Sequence, residues 1–505
     1  MRYKYHYLNA EMPDTADVLA ATPNPAAREM MEHLAEQGIE TYLDRFAAQQ
    51  PLCRFGLQGT CCRRCLWGPC RVTPQKRGVC GADVPLVVIS NHVRMVAAGC
   101  AAHGQHARLR LEAILAVAEG RMPGELRGAE RVWWLAERFG LPVEGRSLTQ
   151  VAADAARYLL ADLGRVEREP MKALLALAPP ERVALWRELD VLPTSAFSEV
   201  FETLQRTSLG TDSDWRNVLR QELRVSLAFF WGCVVAASWA SEMLYGPPRP
   251  QTVRVGFGTL GQGNTVKVAV HGHAPVLAEA LVIATQRADL IREAQAAGAE
   301  GIDLYGICCT GQELLARYGI PTTSGILGQE LVIGTGALDA LVADQQCVIP
   351  GVSQVAACFG TAVITTSDSA RMEGATHIPL DLERIEEVAE TVLREAIAAY
   401  GRRQQMPRHV PALSQTAQVG WDDRSILDAF GGRAEMLRLI REGEIKGIAT
   451  LVSCNTPKVP YEQSNVALAR ELLRRNVLIT TTGCASHALL NAGLADPSAA
   501  DLAGE

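Results

Sequence analysis

A chain of 505 residues has room for about three domains of ordinary size, and 48% hydrophobic with 21% charged residues describes a soluble protein with substantial cores. The formal net charge is -7, and no basic block stands out beyond arginine pairs such as Arg402–Arg403 and Arg474–Arg475. Nucleic-acid binding is therefore not expected, because phosphate contacts need a concentrated positive face. Thiol-rich segments without a secretion signal point to a reducing cytoplasm.

The first 50 residues are mixed, with helical spacing from Pro25 to Gln50, where apolar residues recur three and four apart. They lead into the densest chemical signal of the chain, CRFGLQGTCCRRCLWGPCRVTPQKRGVC, residues 53–80. It holds Cys53, Cys61, Cys62, Cys65, Cys70 and Cys80, six of the 14 cysteines. Four of them read C-x2-C-x4-C-x9-C (Cys62, Cys65, Cys70, Cys80), and loops this short turn several sulfurs towards one centre, as an iron–sulfur cluster requires. A structural zinc site is the competitor, but it normally splits its cysteines into two C-x2-4-C pairs, whereas here three crowd together and the fourth arrives alone. Disulfides are the bland alternative. Against them stand the adjacent Cys61 and Cys62, the missing secretion signal and a chain long enough to bury its own core.

After Cys80, the run NHVRMVAAGCAAHGQHARLRLEAILAVAEG reads as one or two helices. His103 and His106 are three apart and share a helix face. A lone helical histidine is ordinarily a satisfied surface or core residue; two in register just downstream of a metal-binding stretch suit a proton relay. Cys100, one turn earlier, reads as packing. The pattern stays helical from about 107 to 245, broken by Pro123, Pro142, Pro179–Pro180 and Pro193. Within it, Val225 to Leu244 is long enough to span a bilayer. It carries Ser226, Ser238, Ser241 and Glu242, with no second span to partner it, so it reads as a buried core helix and Cys233 as a small buried hydrophobe.

The texture then changes. VKVAVHGH (266–273) alternates like a strand, a long helical pattern follows, and IDLYGICC (302–309) is the next strand. The cycle repeats with a helix at 312–318, the apolar run LDALVADQQC (338–347) and a strand AVITT (362–366). After the helix DLERIEEVAETVLREAIAAYGRR, residues 402–420 read as a linker. Then come a helix at 425–442, the strand IATLVSC (448–454), a helix at 461–475, the strand VLITTTGC (477–484) and a short helix. Strands alternating with helices of this length imply parallel sheets with right-handed crossovers. The fold class expected is multidomain α and α/β. An N-terminal helical domain with the cysteine loop (1–245) precedes two Rossmann-like parallel α/β domains, 246–401 and a shortened 402–505.

These strand assignments place Cys308 and Cys309, Cys347, Cys454 and Cys484 at or just past carboxyl ends of strands, with His273 ending another. That edge is where ligands bind in open α/β sheets. Donors from two α/β units at equivalent positions suggest a metal site between them, against the bland reading that cysteines are common in buried strands. Strand alternation does not choose between His271 and His273, and of the adjacent Cys308 and Cys309 only one should ligate. Cys358, in a helical pattern, reads as packing. Gly256, Gly258 and Gly261 match G-x-G-x-x-G, but no helix pattern follows them, so dinucleotide binding is set aside.

The motifs CRFGLQGTCCRRCLWGPCR, GVCGA, AAGCAAHGQHAR, VHGHAP, GICCTGQE, DQQCVIPG, SCNTPK and TTGCASHAL resemble those of the anaerobic nickel–iron–sulfur carbon monoxide dehydrogenases, relatives of the hybrid-cluster proteins. The resemblance covers essentially the whole chain. It implies that Cys62, Cys65, Cys70 and Cys80 hold a [4Fe–4S] relay cluster, while Cys53 and Cys61 supply half of a second one shared across a homodimer interface. It further implies that His273 and Cys309 bind the pendant iron of a nickel–iron–sulfur catalytic cluster and Cys347, Cys454 and Cys484 its iron–sulfur part. His103 and His106 match histidines beside that cluster and along its proton path. Oxidation of CO with water to CO2, reversible, is the implied activity. The implied partners are a ferredoxin-like electron carrier, a second copy of the chain and a nickel-insertion accessory protein. One departure accompanies the matches. Family chains continue well past the region equivalent to Cys484 and supply there a nickel-binding cysteine and an assisting lysine, whereas this sequence ends at Glu505 with no cysteine after Cys484. The expectation is that the chain is truncated or split, that another subunit completes the site, or that the protein is a short form lacking normal nickel chemistry. Two rival readings are a hybrid-cluster-type hydroxylamine reductase and a non-catalytic short paralogue serving electron transfer or assembly.

Overall fold

The computed structural model describes residues 10–504 together with Lys4 and Tyr5. By their contacts they form two compact units, one of residues 51–246 and one combining residues 1–50 with 247–505.

The combined unit begins with β1 (Lys4–Tyr5) paired antiparallel to β2 (Ala10–Glu11). The helix Pro25–Glu36 follows, capped by Asn24, whose side chain accepts from the Ala27 amide at 3.3 Å. Its buried face, Ala26, Ala27, Met30, Met31 and Leu34, belongs to the same hydrophobic cluster as Leu331, Val332 and Ile333 of the helix Gln329–Gly334. A Cβ at Gly334 would come within 2.6 Å of Leu34 Cδ1, so the backbone of one helix lies directly against the other's side chain. Each buried aliphatic side chain here contributes about 1.5–3 kcal/mol. This contact explains why residues 1–50, grouped by sequence with the helical segment, pack with the α/β part instead.

The 51–246 unit is built on the helix Val84–Ala118, whose N-terminus is closed by Asp83 accepting from the Leu86 amide. Val93, Ala97, Cys100, Gly104, Ala107, Leu111 and Ile114 recur at three- and four-residue spacing and are all buried. Along this helix pack Leu148–Gly164, Ala196–Arg206 and the continuous stretch Trp215–Tyr245, which passes through a π-helical turn at Phe229–Val235. The sequence offered one apolar stretch of membrane-spanning length. Among the described residues there are two, Val84–Ala118 and Trp215–Tyr245, and they pack against each other. Ahead of the bundle lies the cysteine loop, with its short antiparallel pair β3 (Cys61–Cys62) and β4 (Cys70–Arg71).

From residue 247 the chain enters the α/β part. β5 (Gln251–Val255) precedes β6 (Val266–Gly272), β7 (Ile302–Ile307), β8 (Thr322–Ser324), β9 (Ala340–Ala343), β10 (Ala362–Thr365) and β11 (Thr376–His377). The last six form one all-parallel sheet in the order β11-β10-β9-β6-β7-β8. Every residue of β6 and β9 is buried, as expected where helices cover both faces of a parallel sheet. The expected linker 402–420 contains a strand, β12 (Gln415–Val419), antiparallel to β5. Its QTAQV pattern is too polar to announce itself; pairing with β5 places Ala417 and Val419 in a small core with Val255 and Leu490. The expected helix 425–442 is two helices, Asp423–Ala429 and Arg433–Glu442, parted at Gly431 and Gly432, whose φ angles of +79° and +104° leave the helical region. β13 (Gly447–Val452) and β14 (Val477–Thr482) then form a parallel two-stranded sheet. Segments 246–401 and 402–505 fall into one contact unit because β12 pairs with β5 and the helix Gly483–Asn491 packs on the helix Cys308–Tyr318.

Candidate metal centre

Parallel strands in one sheet deliver all their carboxyl ends to one edge, and β9, β6 and β7 are immediate neighbours. The turns that follow them carry, in that order, Cys347, His273 and Cys308–Cys309. β13 and β14 deliver Cys454 and Cys484 in the same way. Among the adjacent pair, the strand β7 ends at Ile307 rather than running to residue 309, and both cysteines open the helix Cys308–Tyr318. Three non-glycine residues at these turns have positive φ: Cys308 (+56°), Gln346 (+64°) and Cys347 (+63°). Such backbone costs about 1–2 kcal/mol per residue and persists where surrounding structure fixes it.

The donors converge. His273 Nε2 lies 3.9 Å from Cys347 Sγ. Cys308 neighbours both Cys347 and Cys484, while Cys484 also neighbours Cys454. Cys308 and Cys484 are buried, Cys309 and Cys347 half-buried, and Cys454 exposed. The set divides its protons unevenly. Hydrogen bonding from Cys308 brings the Cys347 thiol down to about 5, with His273 reinforcing it against burial, and bonds from Cys308 and Cys454 bring Cys484 down to about 2. Cys308 and Cys454 are pushed up by those same bonds and by burial. Burial pulls His273 down, but Cys309 and Cys347 outweigh it and raise the imidazole to about 11. These bonds favour the thiolate at Cys347 and Cys484 and the protonated imidazole at His273, and a donor that keeps its proton becomes a metal ligand by giving it up.

A surrounding layer fixes the donors. The Ile326 amide donates to Cys484 Sγ at 3.3 Å, and a Cβ on Gly325 would sit 2.8 Å from that sulfur, so glycine leaves room for it. Gln329 Oε1 accepts from the Ile349 amide (3.1 Å) and from His271 Nε2 (3.0 Å), while its amide nitrogen donates to the Cys347 carbonyl (3.0 Å). Burial lowers His271 to about 4, so it is a neutral support. The two histidines that strand alternation left open differ in their surroundings: Gly272, with φ +137°, ends the strand, His271 bonds to Gln329, and His273 Nε2 faces the Cys347 sulfur. His487 is also buried; its Nδ1 accepts from Thr322 Oγ1 (2.7 Å) and its Nε2 donates to the Cys308 carbonyl (3.2 Å). Asp344, one residue past β9, accepts from the His273 amide (2.7 Å), the Ala274 amide (3.1 Å), Thr310 Oγ1 (2.5 Å) and the Gln345 amide. Asp344, Gln329 and His487 did not stand out in the sequence. Asp344 alone had a usable signal, since it obeys the same strand-end rule as the cysteines.

In the cysteine loop, Cys62 is buried, Cys61, Cys65 and Cys70 are half-buried, and Cys53 and Cys80 are exposed. Cys62 pairs with Cys70 across β3 and β4. Arg64 Nε donates to Cys62 Sγ at 3.4 Å, and a Cβ on Gly68 would lie 2.9 Å from the Cys62 carbonyl oxygen. Asn91 donates to the carbonyls of Gly59 (2.9 Å) and Cys61 (3.0 Å), tying the loop to the long helix. Cys53 is held below the usual thiol range by the amides of Gly56 and Phe55. Sulfur-only donors, amide- and guanidinium-supported, with glycines at the close approaches, suit an iron–sulfur cluster. Among the described residues, no three His, Cys, Asp or Glu side chains are drawn in around the position of a single ion.

His103 and His106 lie on the helix Val84–Ala118 with ring centroids 5.0 Å apart in an edge-to-face arrangement, and His103 meets the Phe229 ring at 5.1 Å. Cys100 and Cys233 are buried against each other with sulfurs 3.9 Å apart. Cys358, expected in the core, is exposed; its thiol turns back to the Gln354 carbonyl, because position 358 lies on the outer face of the helix Gly351–Phe359.

The chain matches the model of the Prismane/CO dehydrogenase family over residues 60–505. It is 37% identical over 488 residues to carbon monoxide dehydrogenase 1 of Methanosarcina mazei, covering 95% of this chain and 77% of that one. To carbon monoxide dehydrogenase of Rhodospirillum rubrum it is 38% identical over 491 residues, with 95% and 76% covered. Among solved structures, an as-isolated nickel-free crystal structure of carbon monoxide dehydrogenase from Thermococcus sp. AM4 is similar with a TM-score of 0.93 at 38% identity, over 97% of this chain and 78% of that one. A chain from an acetyl-CoA synthase/carbon monoxide dehydrogenase structure, described by NiZn[Fe4S4] and NiNi[Fe4S4] clusters in its closed and open alpha subunits, gives a TM-score of 0.93 at 34% identity, over 97% and 75%.

Proposed function

We propose that this chain, which belongs to the Prismane/CO dehydrogenase family, oxidises carbon monoxide with water to carbon dioxide, reversibly, releasing two protons and two electrons. The observation that carries the reading is the gathering of Cys347, Cys454, Cys484, Cys309 and His273 at strand ends, with thiolates already favoured at Cys347 and Cys484.

His273 and Cys309 would bind the pendant iron of a nickel–iron–sulfur cluster, and Cys347, Cys454 and Cys484 its iron–sulfur part. When bound, such a cluster supplies a soft metal for CO, a Lewis acid that acidifies water, and electron storage. The protein's part is to hold the donors and to move protons. Loading requires the His273 imidazole and the Cys454 thiol to be free of protons, so metal uptake would release protons and strengthen as pH rises. His103 and His106 would receive the protons of the reaction and hand them along the helix between their ring nitrogens, general-base work worth about 100- to 10,000-fold. Cys62, Cys65, Cys70 and Cys80 would hold a [4Fe–4S] cluster, and Cys53 and Cys61 half of one shared in a homodimer. These are one-electron carriers suited to a ferredoxin-like acceptor in an anaerobic cytoplasm. Nickel insertion would call on an accessory protein.

The test is CO-dependent reduction of a viologen dye by protein purified without oxygen, with nickel and iron measured on the same sample. Turnover supports the reading. A preparation with a full complement of both metals and no CO-dependent reduction overturns it.

A further inference from the structure

We propose that Asp344 is the positioning residue of the strand-edge centre, a single buried carboxylate that locks together the three turns presenting His273, Cys309 and Cys347. The inference rests on the reading of those side chains as metal ligands and deepens it.

The geometry is specific. Asp344 Oδ1 accepts from the backbone amides of His273 (2.7 Å) and Gln345, and Oδ2 from the Ala274 amide (3.1 Å) and the Thr310 hydroxyl (2.5 Å). Those donors belong to the turn after β6, the first turn of the helix after β7, and the loop after β9. The carboxylate itself is aimed at backbone and hydroxyl donors, so it acts through the ligands rather than as one.

A second observation, in the backbone, points the same way. Gly272 sits between β6 and His273 with φ +137°, and a Cβ there would run into Asp344 Oδ1. Glycine is therefore required at this position by the carboxylate, not only by the turn. The same residue makes an isolated parallel bridge to Cys308, which draws the β6 and β7 turns together beneath the carboxylate. Removing the carboxylate leaves three backbone amides and a hydroxyl unsatisfied in a buried space, and frees the two cysteine-bearing turns to move relative to His273.

The experiment uses the metal-loaded full chain. Iron retained under chelator challenge is followed by Mössbauer spectroscopy, which separates the strand-edge centre from the cysteine-loop cluster, with thermal stability recorded in parallel. The double variant Cys347→Ala/Cys484→Ala first tests the underlying reading: if it keeps every iron signal, the strand-edge centre itself is wrong. Given a centre, Asp344→Asn is expected to weaken its metal retention about 10- to 100-fold while the loop cluster is untouched, an outer-layer effect of ordinary size. Gly272→Ala should reproduce that loss. Thr310→Val removes one of the four bonds and should give a smaller loss of the same signal at unchanged melting temperature; it decides the matter if Asp344→Asn does not fold. Wild-type retention and an unshifted strand-edge spectrum in a folded Asp344→Asn, or in Thr310→Val should that variant decide, overturn the proposal.

Discussion

The chain presents its thiols in two unlike settings. Cys308, Cys347 and Cys484 stand at the ends of parallel strands and belong to, or pack against, one large hydrophobic cluster, which includes Leu331, Leu341 and Tyr461. The loop cysteines stand on a two-residue strand pair and turns, with Cys53 and Cys80 open to solvent. Burial fixes the first set through the packing of the sheets and their helices. The second set is held by a handful of hydrogen bonds, such as those from Asn91. The same residue type can thus be positioned by core packing or by a few polar contacts.

The largest test of that contrast is a pair of variants. Cys347→Ala should cut CO-dependent dye reduction by more than about 100-fold while hydrogen exchange across β6, β7 and β9 stays slow. Cys70→Ala should instead lose exchange protection over residues 60–82. Reversed outcomes would break the comparison. Mass-spectrometric alkylation of metal-free protein sharpens it further: Cys53 and Cys80 should be modified first and Cys308 and Cys484 last, because exposure outweighs thiolate character when a sulfur is buried.

A smaller effect concerns the floor of the sheet site. Burial raises Glu462, which Asn24 and Asn491 approach at 3.4 and 3.5 Å, from 4.5 to about 7. The folded state then keeps a proton that the unfolded chain releases, so stability is full below pH 4.5 and declines as pH climbs to about 7. Glu462→Gln should flatten that decline, worth on the order of 3 kcal/mol, in chemical denaturation compared at pH 5 and pH 8. An equal slope in both proteins would show that this carboxyl is not the group responsible.

Much of this was legible in the sequence, for reasons that differ by residue. Alternating valines placed β6, and with it His273, at a sheet edge; the spacing of Cys62, Cys65, Cys70 and Cys80 suggested a cluster loop, with zinc as the competitor, without any fold at all. β12 was illegible because QTAQV has no apolar alternation and becomes a strand only through β5. The placement of residues 1–50 was hidden as well. The helix Pro25–Glu36 shows an apolar face, but a face does not name its partner, and Gly334 is three hundred residues away. Asp344 could be located but not interpreted, since its meaning depends on three turns meeting. That His273 faces the Cys347 sulfur while His271 bonds to Gln329 could be seen only where Gly272 stops the strand.

The positive-φ turn before the β9 cysteine has a consequence for redesign. At Gln346 the backbone asks for glycine, and Gln346→Gly should stabilise the protein by about 1 kcal/mol, read as a rise in melting temperature. At Cys347, the next residue, the backbone asks for glycine too, yet granting it would delete the thiol. Stability and activity therefore diverge within one dipeptide, and a stabilisation campaign that scores folding alone would erase the site at the second position while improving the protein at the first.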